Sequence, residues 1–216
     1  MKIAPNSKLV FIGDSITDCE RARPVGEGLF GAIGKGYVAL VDATFGAVCP
    51  EKNIRVVNVG SSGNTVRDLK ARWQADVIAL KPDWLSIMIG INDVWRQYDL
   101  PKMTEVHVGP AEYAATLDEL VTKTKPLVKG LVLMTPYYIE PNRQDAMRAR
   151  MDEYGALVKK IAGKHGTVFV DTQAAYDKVL KHTYPATLAW DRVHPSQIGH
   201  MILARAFLAG IGFKTL

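Results

Sequence analysis

Leu9-Val10-Phe11-Ile12-Gly13-Asp14-Ser15-Ile16-Thr17-Asp18, residues 9–18, decides how the chain is read. Four consecutive apolar residues make a short strand with no wet face, as expected where a strand is buried on both sides of a parallel sheet. Gly13 permits a tight exit from that strand. Ser15 then falls at the start of the following turn or helix, where its hydroxyl is exposed and its own N–H is free to donate. A nucleophilic serine needs that place, because one residue can both attack a carbonyl and help hold the resulting oxyanion. This stretch alone leaves an alternative open, in which Asp14 and Ser15 are plain helix caps.

The same grammar repeats outward from residue 18. Apolar runs rich in Val and Ile predict strands at 9–12, 54–58, 84–89, 131–134 and 168–170. Apolar positions spaced by three and four predict helices at 37–45, 66–80, 111–124, 146–162 and 196–208, with a shorter one at 172–180. Pro110 suits a helix start, Gly163 a helix end, and Pro126 discourages continuation of the helix before it. Residues 96–109 read as a loop that overhangs the site. Alternating β and α units imply an α/β fold, a three-layer α/β/α sandwich around a five-stranded parallel sheet. No repeat, low-complexity stretch or linker interrupts the pattern, so residues 1–216 are expected to form one domain. In such folds ligands lie beyond the carboxyl ends of the strands, which places the chemistry just after Ile12, Asn58, Ile89, Met134 and Val170.

Composition narrows the classes. The 216 residues are 48% hydrophobic and 23% charged, ordinary for a globular chain rather than a disordered one. The net charge of +5 comes from scattered Lys and Arg, without the basic stripe or interleaved aromatics of a nucleic-acid reader. No nucleic-acid partner is expected. Cys19 and Cys49 form no CxxC and join no zinc-ligand cluster, so no disulfide framework is indicated and both read as free thiols. A serine nucleophile at Ser15 needs no metal or organic cofactor, and none is expected. The first residues lack a long apolar leader, and no run approaches the roughly 20 apolar residues of a membrane span. The expectation is a soluble cytoplasmic protein with no membrane partner.

Three further segments fall at predicted strand ends or near the carboxyl terminus. Trp190-Asp191-Arg192-Val193-His194-Pro195 sets a carboxylate three residues before a histidine. Such a carboxylate can fold back onto Nδ1 of the imidazole, fix its tautomer, and leave Nε2 to take a serine proton. The alternative is a histidine that merely enters a helix before Pro195. His200 lacks an acid at matching spacing, and His107, His165 and His182 have no paired acid either; all four read as packing or surface. Asn58-Val59-Gly60-Ser61-Ser62-Gly63-Asn64-Thr65 exposes backbone N–H groups at a strand-to-helix turn. Gly90-Ile91-Asn92-Asp93 supplies a side-chain amide donor. A plain glycine turn and an Asn/Asp turn remain the alternatives for these two.

Taken together, GDSITD, NVGSSGNT, GIND and DRVH resemble the four sequence blocks of the SGNH (GDSL-type) hydrolases. The resemblance implies a flavodoxin-like SGNH fold and serine esterase activity. It makes Ser15 the nucleophile, Asp191 and His194 its triad partners, and the Ser15 N–H, the Gly63 N–H and the Asn92 amide the oxyanion donors. Ile16 stands where the family usually has leucine, a mild departure. A closer resemblance runs through GDSITDCERARP, SGNTVRDLKARW, KPDWLSIMIGINDVWRQYDLP, LVKGLVLMTPYYIE and YPATLAWDRVHPSQIGHMILARAF. These are similar to the intracellular acetylxylan esterases of xylan-degrading bacilli. That likeness implies acetylated xylooligosaccharide as substrate and a homo-oligomer, a ring-shaped homo-octamer in those enzymes.

Asp14 and the aromatic and basic residues Trp95, Arg96, Tyr98, Tyr184 and Trp190 are candidate substrate contacts, since aromatic faces stack on sugar rings. Core packing or a subunit interface competes for each of the aromatics, above all for Trp190. Three other functions compete. A phosphatase with an aspartate nucleophile would want a second Asp where Ile16 stands. A silent carbohydrate-binding protein would not need a complete triad. A lipase, thioesterase or deacetylase of another sugar would share the triad and differ in the pocket.

Overall fold

The computed structural model describes residues 1–214. Five parallel strands, β1 (Lys8–Gly13), β2 (Arg55–Asn58), β3 (Trp84–Met88), β4 (Gly130–Met134) and β5 (Val168–Val170), lie in the order β2-β1-β3-β4-β5. Val10 stands beside Val57 on one side and Leu85 on the other, and Leu85 beside Leu131. Leu9, Val10, Phe11 and Ile12 are all 0% exposed, which explains their uniform apolarity. Burying each stabilises the fold by about 1.5–3 kcal/mol relative to leaving it in water.

Nine α-helices surround the sheet among the described residues: α1 (Ser15–Asp18), α2 (Tyr37–Val48), α3 (Val66–Trp73), α4 (Ile91–Asp99), α5 (Pro110–Thr124), α6 (Ala146–His165), α7 (Thr172–Leu180), α8 (Pro185–Leu188) and α9 (Gln197–Gly210). α2, α7 and α9 pack as one layer, and α3, α5 and α6 as the other. Phe11 marks the first layer: its ring meets Tyr37 of α2 at 5.7 Å and Phe207 of α9 at 4.8 Å between centroids. On the second layer the Trp73 indole of α3 donates to the Thr124 hydroxyl of α5 at 2.9 Å.

Departures from the sequence reading have local causes. The segment expected to be a loop over 96–109 begins as helix, because α4 runs through Asp99. Its inner face holds Asn92 and Asp93 beside Ile91 and Val94, so the apolar stripe is broken by buried polar residues. The helix expected over 66–80 is regular only to Trp73 and continues as a wider π turn over Gln74–Ile78. α6 passes Gly163 and stops at Gly166, whose φ of 60° is the left-handed value that glycine adopts without strain. Pro110 does open α5, and α5 ends before Pro126.

The sheet reverses direction after β2, since β3 returns to the far side of β1. A crevice therefore opens at the carboxyl ends of β1 and β3, where α1 and α4 begin.

Candidate active site

Gly13 ends β1 in a crowded place. A Cβ there would collide with the Met88 carbonyl and the Thr17 hydroxyl, so no larger residue fits. Asp14 caps α1, its Oδ1 accepting from the Ile16 N–H at 3.0 Å. Ser15 is the first residue of α1, where no intrahelical carbonyl reaches its N–H. Complete burial pushes the Asp14 carboxyl up to about 7, against the opposing pull of the Ile16 N–H and of His194.

The Ser15 hydroxyl lies 3.0 Å from His194 Nε2. His194 Nδ1 lies 2.6 Å from Asp191 Oδ2. A carboxylate only accepts, so the proton belongs on Nδ1 and the lone pair of Nε2 faces Ser15. The other Asp191 oxygen, Oδ1, accepts from the backbone N–H groups of Val193 (2.9 Å) and His194 (2.8 Å). Burial alone would raise the Asp191 pKa; the His194 imidazole and these two N–H groups outweigh it and hold the carboxyl below its ordinary value. Three groups 179 residues apart at the extreme thus form one relay. Such a relay can deprotonate a hydroxyl as it attacks a carbonyl carbon.

The donors expected opposite the relay are gathered at the same edge. Asn92 is buried in the first turn of α4, and its Nδ2 donates to the Asn64 carbonyl at 3.0 Å. Its Oδ1 accepts from Arg96 Nη2 at 3.2 Å. These two bonds assign the orientation of the amide and commit one of its two Nδ2 hydrogens. Gly63 lies in the turn before α3. Its φ of +80° requires glycine, although a Cβ there would meet nothing within 4 Å.

The other expected contacts divide. Trp95 comes to the relay, its ring edge-on to the His194 imidazole at 5.9 Å. Arg96 stacks over Trp95 at 5.0 Å and pairs with Asp99. Tyr98 turns away and donates its hydroxyl to the Ala146 carbonyl at 2.8 Å. Tyr184, the N-cap of α8, and Trp190 are largely exposed, at 75% and 83%. His200 is buried and accepts from the Tyr37 N–H through Nδ1. Burial lowers its pKa to about 4, so it packs as a neutral ring, as its sequence context suggested. Among the described residues no group of three or more His, Cys, Asp or Glu side chains could hold a metal ion.

Sequence reasoning missed the groups that support these residues. Asp18 Oδ2 accepts from both the Ser62 N–H and the Ser62 hydroxyl at 3.0 Å. Asn58 Nδ2 donates to the Thr17 carbonyl, and its Oδ1 accepts from the Gly60 N–H. Gly60 presses against the α1 backbone, where a Cβ would lie 2.7 Å from Asp18 Cα. No local spacing announces these bonds, because each joins segments 28 or more residues apart or depends on a turn not yet formed.

A strand-to-helix serine, an Asp-His pair spaced by three and a buried Asn amide at a switch point define a serine ester hydrolase. The chain belongs to the GDSL-like lipase/acylhydrolase family, whose model matches residues 11–202, and it is a serine esterase. An acetylxylan esterase of Geobacillus stearothermophilus is 70% identical over 214 residues, 99% of this chain and 98% of its own. A crystal structure of a catalytic S15A mutant of Axe2, an acetylxylan esterase of that bacterium, matches with a TM-score of 0.98 at 69% identity, over 99% of this chain and 98% of the other. LAE5, an alpha/beta hydrolase enzyme from the metagenome of Lake Arreo, Spain, matches over the whole of both chains with a TM-score of 0.99 at 60% identity.

Proposed function

We propose that this esterase removes O-acetyl groups from xylooligosaccharides through an acetyl-Ser15 intermediate. The observation that carries the reading is the continuous relay from Ser15 Oγ through His194 to Asp191. Its near-full-length likeness to an acetylxylan esterase supports the substrate.

In the first half-reaction the Ser15 hydroxyl attacks the acetyl carbonyl carbon and passes its proton to His194 Nε2. The Ser15 N–H, the Gly63 N–H and the free Asn92 hydrogen take the negative oxygen. Asp191 stabilises the imidazolium, which then protonates the departing sugar oxygen as the C–O bond breaks. Water enters, gives a proton to Nε2, attacks the acetyl-enzyme and releases acetate with Ser15 regenerated. The residues of this chain suffice for every step.

Further parts of the reading are proposals of the same kind. Residues 1–216 work as one catalytic domain. Trp95 lies beside His194, where it bounds the space open to an acyl group, and Asp14 stiffens the serine turn rather than touching sugar. Trp190 and Tyr184 offer large exposed faces that suit either a sugar or a second subunit, and a homo-oligomer of eight copies accounts for leaving them bare. No helix among the described residues is long and apolar enough to cross a membrane. The cytoplasm suits the free thiols of Cys19 and Cys49.

The test is acetate release from a panel of acetylated oligosaccharides and from acetyl, butyryl and octanoyl esters. Wild type should favour acetylated xylooligosaccharide and short acyl chains. Ser15→Ala should lose about 10⁶-fold in kcat. Turnover retained by Ser15→Ala would remove the nucleophile, and a preference for another acetylated sugar or for octanoyl esters would remove the substrate. Sedimentation of wild type and Trp190→Ala separates the interface role from the sugar role.

A further inference from the structure

Four hydrogen bonds from a single guanidinium converge beneath the oxyanion donors. Arg72, near the end of α3, donates Nε–H to Asn64 Oδ1 at 2.6 Å and Nη2–H to the Gly13 carbonyl at 2.9 Å. Its Nη1 donates to the Val59 carbonyl and to Asp76 Oδ2, both at 2.6 Å. Gly13 is the last residue of β1, two before Ser15. Val59 is the exit of β2. Asn64 follows Gly63, and its own carbonyl accepts from the Asn92 amide. One planar cation is therefore bonded to the segments that carry the Ser15 and Gly63 donors, and through Asn64 to the Asn92 donor.

We propose that Arg72 is the positioning residue of the oxyanion hole. The inference rests on the reading of Ser15, Gly63 and Asn92 given above. The Gly13 carbonyl also accepts from the Ser61 N–H at 3.0 Å, and the guanidinium fork ties it to the Val59 carbonyl at fixed spacing. The Arg72 side chain is only 18% exposed, so water is a poor substitute for it.

Gly63 itself explains why such a clamp is needed. Its Cα faces open space, with nothing within 4 Å of an added Cβ, so packing does not orient its N–H. Its neighbours must. Asp18 fixes Ser62 on one side through two hydrogen bonds. Arg72 and Asn92 fix Asn64 on the other. Loss of the Arg72 bond releases the second side and, with it, the acceptor that orients Asn92. A small displacement of oxyanion donors costs rate in the transition state and leaves ground-state binding nearly untouched.

The experiment compares wild type, Arg72→Ala, Arg72→Lys and Asn64→Ala on 4-nitrophenyl acetate, with Ser15→Ala alongside. Arg72→Ala should lower kcat about tenfold to a hundredfold while KM changes little. Sub-denaturing guanidinium chloride should restore part of that kcat by refilling the site. Arg72→Lys, whose point charge cannot span the same acceptors, should fold and still lose rate. Asn64→Ala removes the Nε acceptor but keeps the carbonyl that holds Asn92, and should lose less. The combined Arg72→Lys/Asn64→Ala loss should be smaller than the product of the single losses.

A merely structural arginine would lower the unfolding midpoint without a selective fall in kcat or rescue by guanidinium. The inference is overturned if folded Arg72→Lys keeps wild-type kcat, or if its loss and that of Asn64→Ala multiply independently. Should Arg72→Ala fail to fold, the lysine and asparagine variants decide. Activity surviving in Ser15→Ala would instead overturn the underlying reading, so the two failures are distinct.

Discussion

Ser15 and its neighbouring donors are held by groups far away in the chain, whereas His194 is held by a residue three positions before it. On the nucleophile side, Arg72 reaches Gly13 across 59 residues, Asp18 reaches Ser62 across 44, and Asn92 reaches Asn64 across 28. Most of these groups are shielded from water. On the base side, Asp191 accepts from His194 Nδ1, from the His194 N–H and from the Val193 N–H, all within one turn. The His194 side chain is 44% exposed. The first side needs the sheet to exist before it has any geometry. The second is a local unit that the fold has only to deliver to the right edge.

This contrast makes distinct demands on variants. Among the groups that hold Ser15 and His194 in place, the largest effect belongs to the local side, because it has no reserve: Asp191→Asn removes the carboxylate that fixes the tautomer. It should cost roughly 10⁴-fold in kcat on 4-nitrophenyl acetate, with the fold intact by circular dichroism. A loss below tenfold would mean that some other group orients His194. On the distributed side, Asn92→Ala should cost about 10²–10³-fold, chiefly in kcat, because two backbone donors remain. An unchanged kcat would remove Asn92 from the oxyanion hole. Smaller again is Gly60→Ala, where the new methyl meets the α1 backbone. Overpacking there should lower stability by about 1–3 kcal/mol in urea titration and reduce kcat with it. A neutral Gly60→Ala would show that the contact between the β2 exit and α1 yields freely.

The same contrast explains how much could be read from the sequence. The Asp191-His194 relay was legible because its geometry is a spacing of three. The strands were legible because burial on both faces demands unbroken apolar runs such as residues 9–12. α4 was not, because Asn92 and Asp93 occupy its inner face and erase the stripe that marks a helix. Arg72 and Asp18 were not, because a charged residue on a short helix looks solvated until the turn that consumes its hydrogen bonds is in place. Gly63 and Asn92 were marked as donors by residue type and by family resemblance. The bonds that aim them come from chain segments with no shared periodicity.

The buried carboxyls Asp14 and Asp93 titrate in the opposite sense from Asp191, and this gives the smallest and sharpest test. Burial raises Asp93 from its ordinary 3.8 to about 7, and its Oδ2 has no hydrogen-bond partner among the described residues. Asp14 is raised likewise, whereas Asp191 is lowered. A raised carboxyl binds more protons when folded than when unfolded, so its contribution to stability is full below about 4 and is lost as pH rises through about 7. His200, lowered from 6.5 to about 4, acts oppositely between those values, and Asp191 acts only in more acid solution. Wild-type curves therefore mix signs, but a comparison with Asp93→Asn isolates one group. The variant keeps an oxygen to accept the Val66 N–H, which Asp93 Oδ1 receives at 3.0 Å, and it sheds the buried charge. Its stability relative to wild type should improve from pH 5 to about pH 7, by at most about 1.4 kcal/mol per pH unit, and level off above that. Parallel unfolding midpoints across that range would mean that Asp93 is ionised in the folded chain, and that an unseen donor on the nucleophile side satisfies it.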